Sequence, residues 1–155
     1  MTAPAPRPSG PPRIALDTNV CLDLFVFRDP VVATLREALD SGAVAGVTDD
    51  ACREEWLRVL AYPALRLDEA EQARHAHAYD TALRCIAMAP VPHPLPRCAD
   101  PDDQKFLELA ARCEAHWLLS RDDALLKLAR RMQREEWFAI LSPAQWIAQW
   151  ASRTA

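Results

Sequence analysis

Four carboxylates, Asp17, Glu55, Asp103 and Asp122, are the residues best placed to do chemistry in this chain. Asp17 closes the apolar run Arg13-Ile14-Ala15-Leu16, and Asp122 follows a second apolar run that ends at Ser120. In open α/β sheets, ligands bind beyond the carboxyl ends of the strands, so two such acids can meet there from distant positions. Glu55 lies on the flank of the helical stripe Cys52, Trp56, Val59 and Leu60, whereas Glu54, about 100° away, points to water. Asp100-Pro101-Asp102-Asp103 opens another helix, and Asp103 sits closest to its apolar stripe. Carboxylates that converge on one point need a counter-cation. Hard divalent ions such as Mg²⁺ or Mn²⁺ prefer such oxygen ligands. A metal held this way activates water and clamps a phosphodiester. Each acid also has a local use. Asp100 and Asp122 suit helix N-caps, Asp102 and Asp103 favour a helix dipole, Asp17 suits an Asx-turn, and Glu55 suits a helix surface.

The elements that must position these acids follow from the hydrophobic pattern. Arg13–Asp17 reads as a buried strand, followed by a helix from Val20 to Phe27. Asp29-Pro30 opens a helix ending near Ser41-Gly42, as a cap plus first-turn proline. Ala43–Val47 is the second strand, and Thr48 or Asp49 caps the next helix, which stops before Pro63. Residues 68–84 predict a polar-alanine helix, Ile86–Val91 an edge strand, and the proline-rich residues 90–101 a loop. Then come a helix over Asp102–Cys113, a strand over His116–Ser120 and a helix over Asp122–Gln133. A last strand over Trp137–Leu141 precedes a terminal helix capped by Ser142-Pro143. Strands that alternate with helices imply a mainly parallel sheet covered on both faces, the α/β class.

Bulk numbers agree and exclude several classes. The 155 residues favour one domain, expected over residues 13–152 behind a disordered Pro-rich tail, residues 1–12. With only 3 glycines there is no GxGxxG or GxxxxGK[ST] loop, so simple dinucleotide and P-loop readings fail. A net charge of −4 argues against a protein that coats nucleic acid through overall basicity. A local nucleic-acid site stays open, because a bound divalent ion reverses the local sign. The five cysteines form no CxxC and read as buried thiols of a reducing cytosol, so the expected location is cytoplasmic. No HExxH or paired Cys/His spacing suggests zinc, and no apolar run is long enough to span a membrane.

Four blocks in order, Leu16-Asp17-Thr18-Asn19-Val20, EEWLRVLAYP with Glu55, DPDDQKFLELA, and Leu119-Ser120-Arg121-Asp122, make the sequence resemble the PIN-domain family of metal-dependent nucleases. It is most similar to the VapC-like toxin branch of toxin–antitoxin pairs. The resemblance covers Arg13 to about Trp150. It implies a three-layer α/β/α sandwich with a central parallel sheet, and an acidic pocket for one or two Mg²⁺ or Mn²⁺ ions that cleaves single-stranded RNA. Carried over residue by residue, the four acids fall on Asp17, Glu55, Asp103 and Asp122. Asp17, Asp103 and Asp122 are expected to hold metal, and Glu55 to be a ligand or to orient the attacking water. Thr18, Asn19 and Ser120 would support the pocket. Asp100 would be an outer or alternative ligand, and Asp102 competes with Asp103 for the register. Asp123 competes with Asp122, which lies nearer the strand end. The resemblance also implies a small antitoxin partner and a homodimer. For the dimer, Trp146 and Trp150 are apolar residues of the terminal helix that could either face a partner or fill the core.

Substrate backbone needs positive charge near such a pocket. Residues 121–134 set five basic side chains against two acidic ones, a net +3, and Arg121, Lys127 and Arg130 are the RNA contacts expected there. A haloacid-dehalogenase-type phosphatase would want Asp-x-Asp after the first strand, but Asn19 occupies the third position. The remaining alternative is a catalytically silent PIN-fold binding module, against which stands the presence of all four acids.

Overall fold

The computed structural model describes residues 10–85, 90–91 and 94–154. Most of the N-terminal tail expected over residues 1–12 therefore lies outside the described residues. Among them run five parallel strands: β1 (Arg13–Leu16), β2 (Ala45–Thr48), β3 (Leu83–Cys85), β4 (Trp117–Leu119) and β5 (Ala139–Leu141). Their spatial order is β3-β2-β1-β4-β5. The chain builds outward from β1 through β2 to β3, then returns to add β4 on the other side of β1. That reversal opens a crevice at the carboxyl ends of β1 and β4, where open α/β sheets place their ligands. Leu16 pairs with Leu119, and the Asp17 N–H extends the ladder to the Leu119 carbonyl at 2.9 Å. Asp17 and Ser120 are thereby brought level across the crevice.

The sheet separates two apolar layers, as the period of two requires. Ala15, Val47, Leu118 and Ile140 point into one layer, with Phe106, Leu107, Leu109, Leu125 and Met132. Ile14, Leu16 and Leu119 point into the other, with Leu24, Leu35, Trp56, Leu60 and Trp146. The fold is a three-layer α/β/α sandwich. Its helices are α1 (Thr18–Cys21), α2 (Ala33–Asp40), α3 (Asp50–Leu60), α4 (Glu69–Ala82), α5 (Gln104–Arg112), α6 (Asp123–Leu126), α7 (Ala129–Arg134) and α8 (Pro143–Thr154). No helix among the described residues is long and apolar enough to cross a membrane.

Local chemistry sets several boundaries. Asp49, not Thr48, caps α3: its Oδ1 accepts from the Cys52 N–H at 2.9 Å, while the Thr48 hydroxyl bonds the Tyr79 hydroxyl at 2.5 Å. Asp68 and Glu71 form a reciprocal capping box on α4. Ser142 and Gln145 cap α8 in the same manner. Trp146 is buried in the core and stacks on Trp150, ring centres 5.1 Å apart, so Trp146 is not available to a partner.

Four expectations are corrected. The helix over residues 68–84 ends at Ala82, and Leu83–Cys85 forms the edge strand, while the strand expected over Ile86–Val91 falls mostly outside the described residues, at 86–89. Buried Leu83 packs against Gly46, where a Cβ would stand 2.4 Å from Leu83 Cδ2 and 3.0 Å from the Ala82 carbonyl. That close approach starts the strand early. The helix from Val20 begins at Thr18 and turns π-helical over Leu22–Val26, the Phe27 N–H reaching back to Leu22. The segment after Pro30 starts as a 3₁₀ turn, Pro30–Val32, before α2. The single helix over Asp122–Gln133 is two, α6 and α7, parted at Lys127-Leu128. The cysteines also depart in part: Cys21, Cys52, Cys98 and Cys113 are buried, but Cys85 on the edge strand is exposed.

Candidate metal centre

Asp17 stands between β1 and α1, its backbone extended. It makes no cap bond with its side chain. Its Oδ2 instead accepts from Ser120 Oγ at 2.6 Å and from Asn19 Nδ2 at 3.3 Å. Ser120 in turn accepts the Asp122 N–H at 2.9 Å. One buried hydroxyl therefore ties the end of β1 to the turn after β4. Burial raises the Asp17 carboxyl above its ordinary range, and the Ser120 bond partly offsets that rise.

Asp103 ends the 3₁₀ turn Pro101–Asp103 that leads into α5. Asp100 caps this turn, accepting from the Asp102 N–H at 3.0 Å. The turn aims Asp103 inward beside Phe106 and Leu107, while Asp102 stays exposed. Asp103 Oδ2 is buried without a hydrogen-bond partner. Burial, a hydrogen bond with Asp122 and the nearby charge of Asp17 push the Asp103 carboxyl far above its usual range. Asp122 moves the opposite way: the Asp103 carboxyl beside it and the Ala124 N–H, 3.0 Å from Asp122 Oδ1, hold it below its ordinary range. Asp122 thus serves as N-cap of α6 and as member of the acid group at once.

Asp17, Asp103 and Asp122 each offer an oxygen, and these oxygens lie within 4.8 Å of one another. Across an ion with bonds of about 2.1 Å, opposite ligands stand about 4 Å apart, so a small contraction would place all three on one hard cation. The oxygen-only donor set and the partnerless Asp103 Oδ2 fit a divalent ion of this kind.

Glu55 stands outside that group of three. Its Oε2 accepts from Thr18 Oγ1, and its Oε1 pairs with Lys105 Nζ at 2.6 Å. Glu54 is exposed, as its helical phase requires. Asp100 also lies outside the group, committed to its cap. Asn19 joins both sides of the crevice, its Oδ1 accepting from the Arg121 N–H at 3.3 Å. Arg121 is exposed and pairs with Asp23 Oδ2 at 2.9 Å, so the buried Asp23 faces Arg121 rather than the aspartates. Lys127, in the turn that parts α6 from α7, and Arg130, on α7, are both exposed.

Sequence reasoning missed Lys105. The signal available was composition: the chain has 16 arginines and 2 lysines, and one of the lysines falls two residues after Asp103.

A family model described as PIN domain matches residues 13–124, from β1 into α6, and so takes in all four acids. No curated protein matches the chain.

Proposed function

This chain belongs to the PIN-domain family, and on that premise we propose that it is a metal-dependent endoribonuclease that cuts single-stranded RNA. The observation that carries the reading is the group Asp17, Asp103 and Asp122, with oxygens within 4.8 Å and one of them buried without a partner. PIN domains are a nuclease fold, and an oxygen-only acidic pocket at a sheet's switch point suits phosphodiester hydrolysis.

Asp17, Asp103 and Asp122 would hold Mg²⁺ or Mn²⁺, which when bound supplies Lewis acidity to the phosphate and lowers the pKa of water. Ser120 and Asn19 hold Asp17 through its Oδ2. The Ala124 N–H does the same for Asp122 through its Oδ1. Asp17 and Asp122 are therefore aimed before any ligand arrives, which lowers the ordering cost of binding. Glu55, beside Thr18, positions the turn that carries Asp17. Arg121, Lys127 and Arg130 supply positive charge along which the RNA backbone lies.

We further assign the chain to the toxins of toxin–antitoxin pairs, acting in the cytoplasm as a homodimer and restrained by a small antitoxin protein. The support is the sequence resemblance alone.

The test is cleavage of a mixed single-stranded RNA with Mg²⁺, Mn²⁺ or EDTA, beside a folded Asp17→Asn variant. Metal-dependent cutting that the variant lacks is the expected result. Absence of cutting together with absence of Mn²⁺ binding would leave a binding module instead.

A further inference from the structure

Lys105 is the cation that meets Glu55, the acid left outside the group of three. Its Nζ pairs with Glu55 Oε1 at 2.6 Å and donates to the Asp102 carbonyl at 2.5 Å. It also lies 5.4 Å from the centre of the Phe106 ring. The Lys105 side chain is only 19% exposed and that of Glu55 only 17%. A pair this enclosed recovers little net stability, because desolvation offsets the attraction. Its use lies elsewhere. With Thr18 on one oxygen and Lys105 on the other, Glu55 has a partner at each end of its carboxylate. A divalent ion on Glu55 would have to evict the ammonium or stand beside it, like charge against like.

Resting on the reading of the pocket as a divalent-metal site, we propose that Lys105 takes the place of a second metal ion. The pocket binds one ion on Asp17, Asp103 and Asp122. The ammonium neutralises Glu55, which is a positioning residue for Thr18 and the turn beside Asp17. A lysine suits this task better than the arginines that dominate the chain. Its ammonium is a compact point charge on a flexible stem, close to an ion in size, whereas a guanidinium is a broad planar fork.

Counting bound Mn²⁺ on the full chain, by paramagnetic resonance titration, tests this. The wild type binds one ion, Asp17→Asn binds none, Lys105→Met binds two, and Lys105→Met with Glu55→Gln returns to one. Lys105→Arg keeps the count at one, since the charge is retained. Circular dichroism confirms that each variant is folded. Two ions on the wild type, or one on folded Lys105→Met, overturns the proposal while leaving the metal site standing. No Mn²⁺ on the wild type removes the metal site itself, and this proposal with it.

Discussion

Ser120 Oγ donates to Asp17 Oδ2 at 2.6 Å, across the crevice between β4 and β1. The same oxygen accepts the Asp122 N–H, so one buried hydroxyl holds two of the three clustered aspartates in place. Ser120→Ala should weaken Mn²⁺ binding about 10–100-fold, the usual cost of losing a hydrogen bond behind a metal ligand. Titration calorimetry would measure it. An unchanged affinity would mean that Asp17 needs no such hold.

The acid group predicts an inverted pH dependence of stability in metal-free protein. Asp17 and Asp103 have folded-state carboxyls raised above their unfolded values. Such groups stabilise fully below the unfolded value near 3.8 and lose that contribution as pH rises through the folded value, about 8 for Asp103. The lowered Asp122 acts in the opposite sense, but its contribution disappears only as pH falls below the ordinary carboxylate range. Between about pH 5 and 8, the melting temperature in EDTA should therefore fall as pH rises. Added Mg²⁺ should restore it, most strongly at the high end, where the ion displaces fewer protons. Asp103→Asn should flatten the EDTA curve. A rising EDTA curve over this interval would contradict the assignment.

Lys127 and Arg130 are exposed, whereas Arg121 is held by Asp23. If they follow the RNA backbone, each of Lys127→Ala and Arg130→Ala should lower the slope of log affinity against log salt by about 0.7, the single-strand value per phosphate contact. The measurement uses the cleavage-dead Asp17→Asn background, so that the RNA survives the titration. Slopes equal to that of the parent would remove these residues from the interface.

Gly46 is required by the close approach of β3. A methyl group there would meet Leu83 Cδ2 and the Ala82 carbonyl. Gly46→Ala should cost about 1–3 kcal/mol, the range for overpacking, read as a shift in the urea midpoint. A change below about 0.5 kcal/mol would show that β3 yields without cost.

Much of this arrangement is legible in the sequence. Asp17 and Asp122 stand out because a strand's end marks where a crevice opens, and Asp103 because it is the acid nearest in sequence to the Phe106 stripe. The cap at Asp49 was half legible, since Thr48 and Asp49 are both good caps and only the Tyr79 hydroxyl decides between them. Leu83–Cys85 was hidden inside a polar-alanine stretch. Only Tyr79 is buried within α4, so no apolar stripe marked where that helix stops. Lys105 was illegible for another reason. A four-carbon stem lets its ammonium reach Glu55 on a different helix, and helix phase says nothing about that reach.

Asp17, Asp103 and Asp122 together would hold one divalent ion. Anomalous diffraction from crystals grown with Mn²⁺ tests it most directly. One anomalous peak is expected about 2.1–2.2 Å from an oxygen of each of the three aspartates, lost in Asp17→Asn crystals. A pocket with no peak at saturating Mn²⁺, or a peak liganded by Glu55 without Asp103, would contradict it.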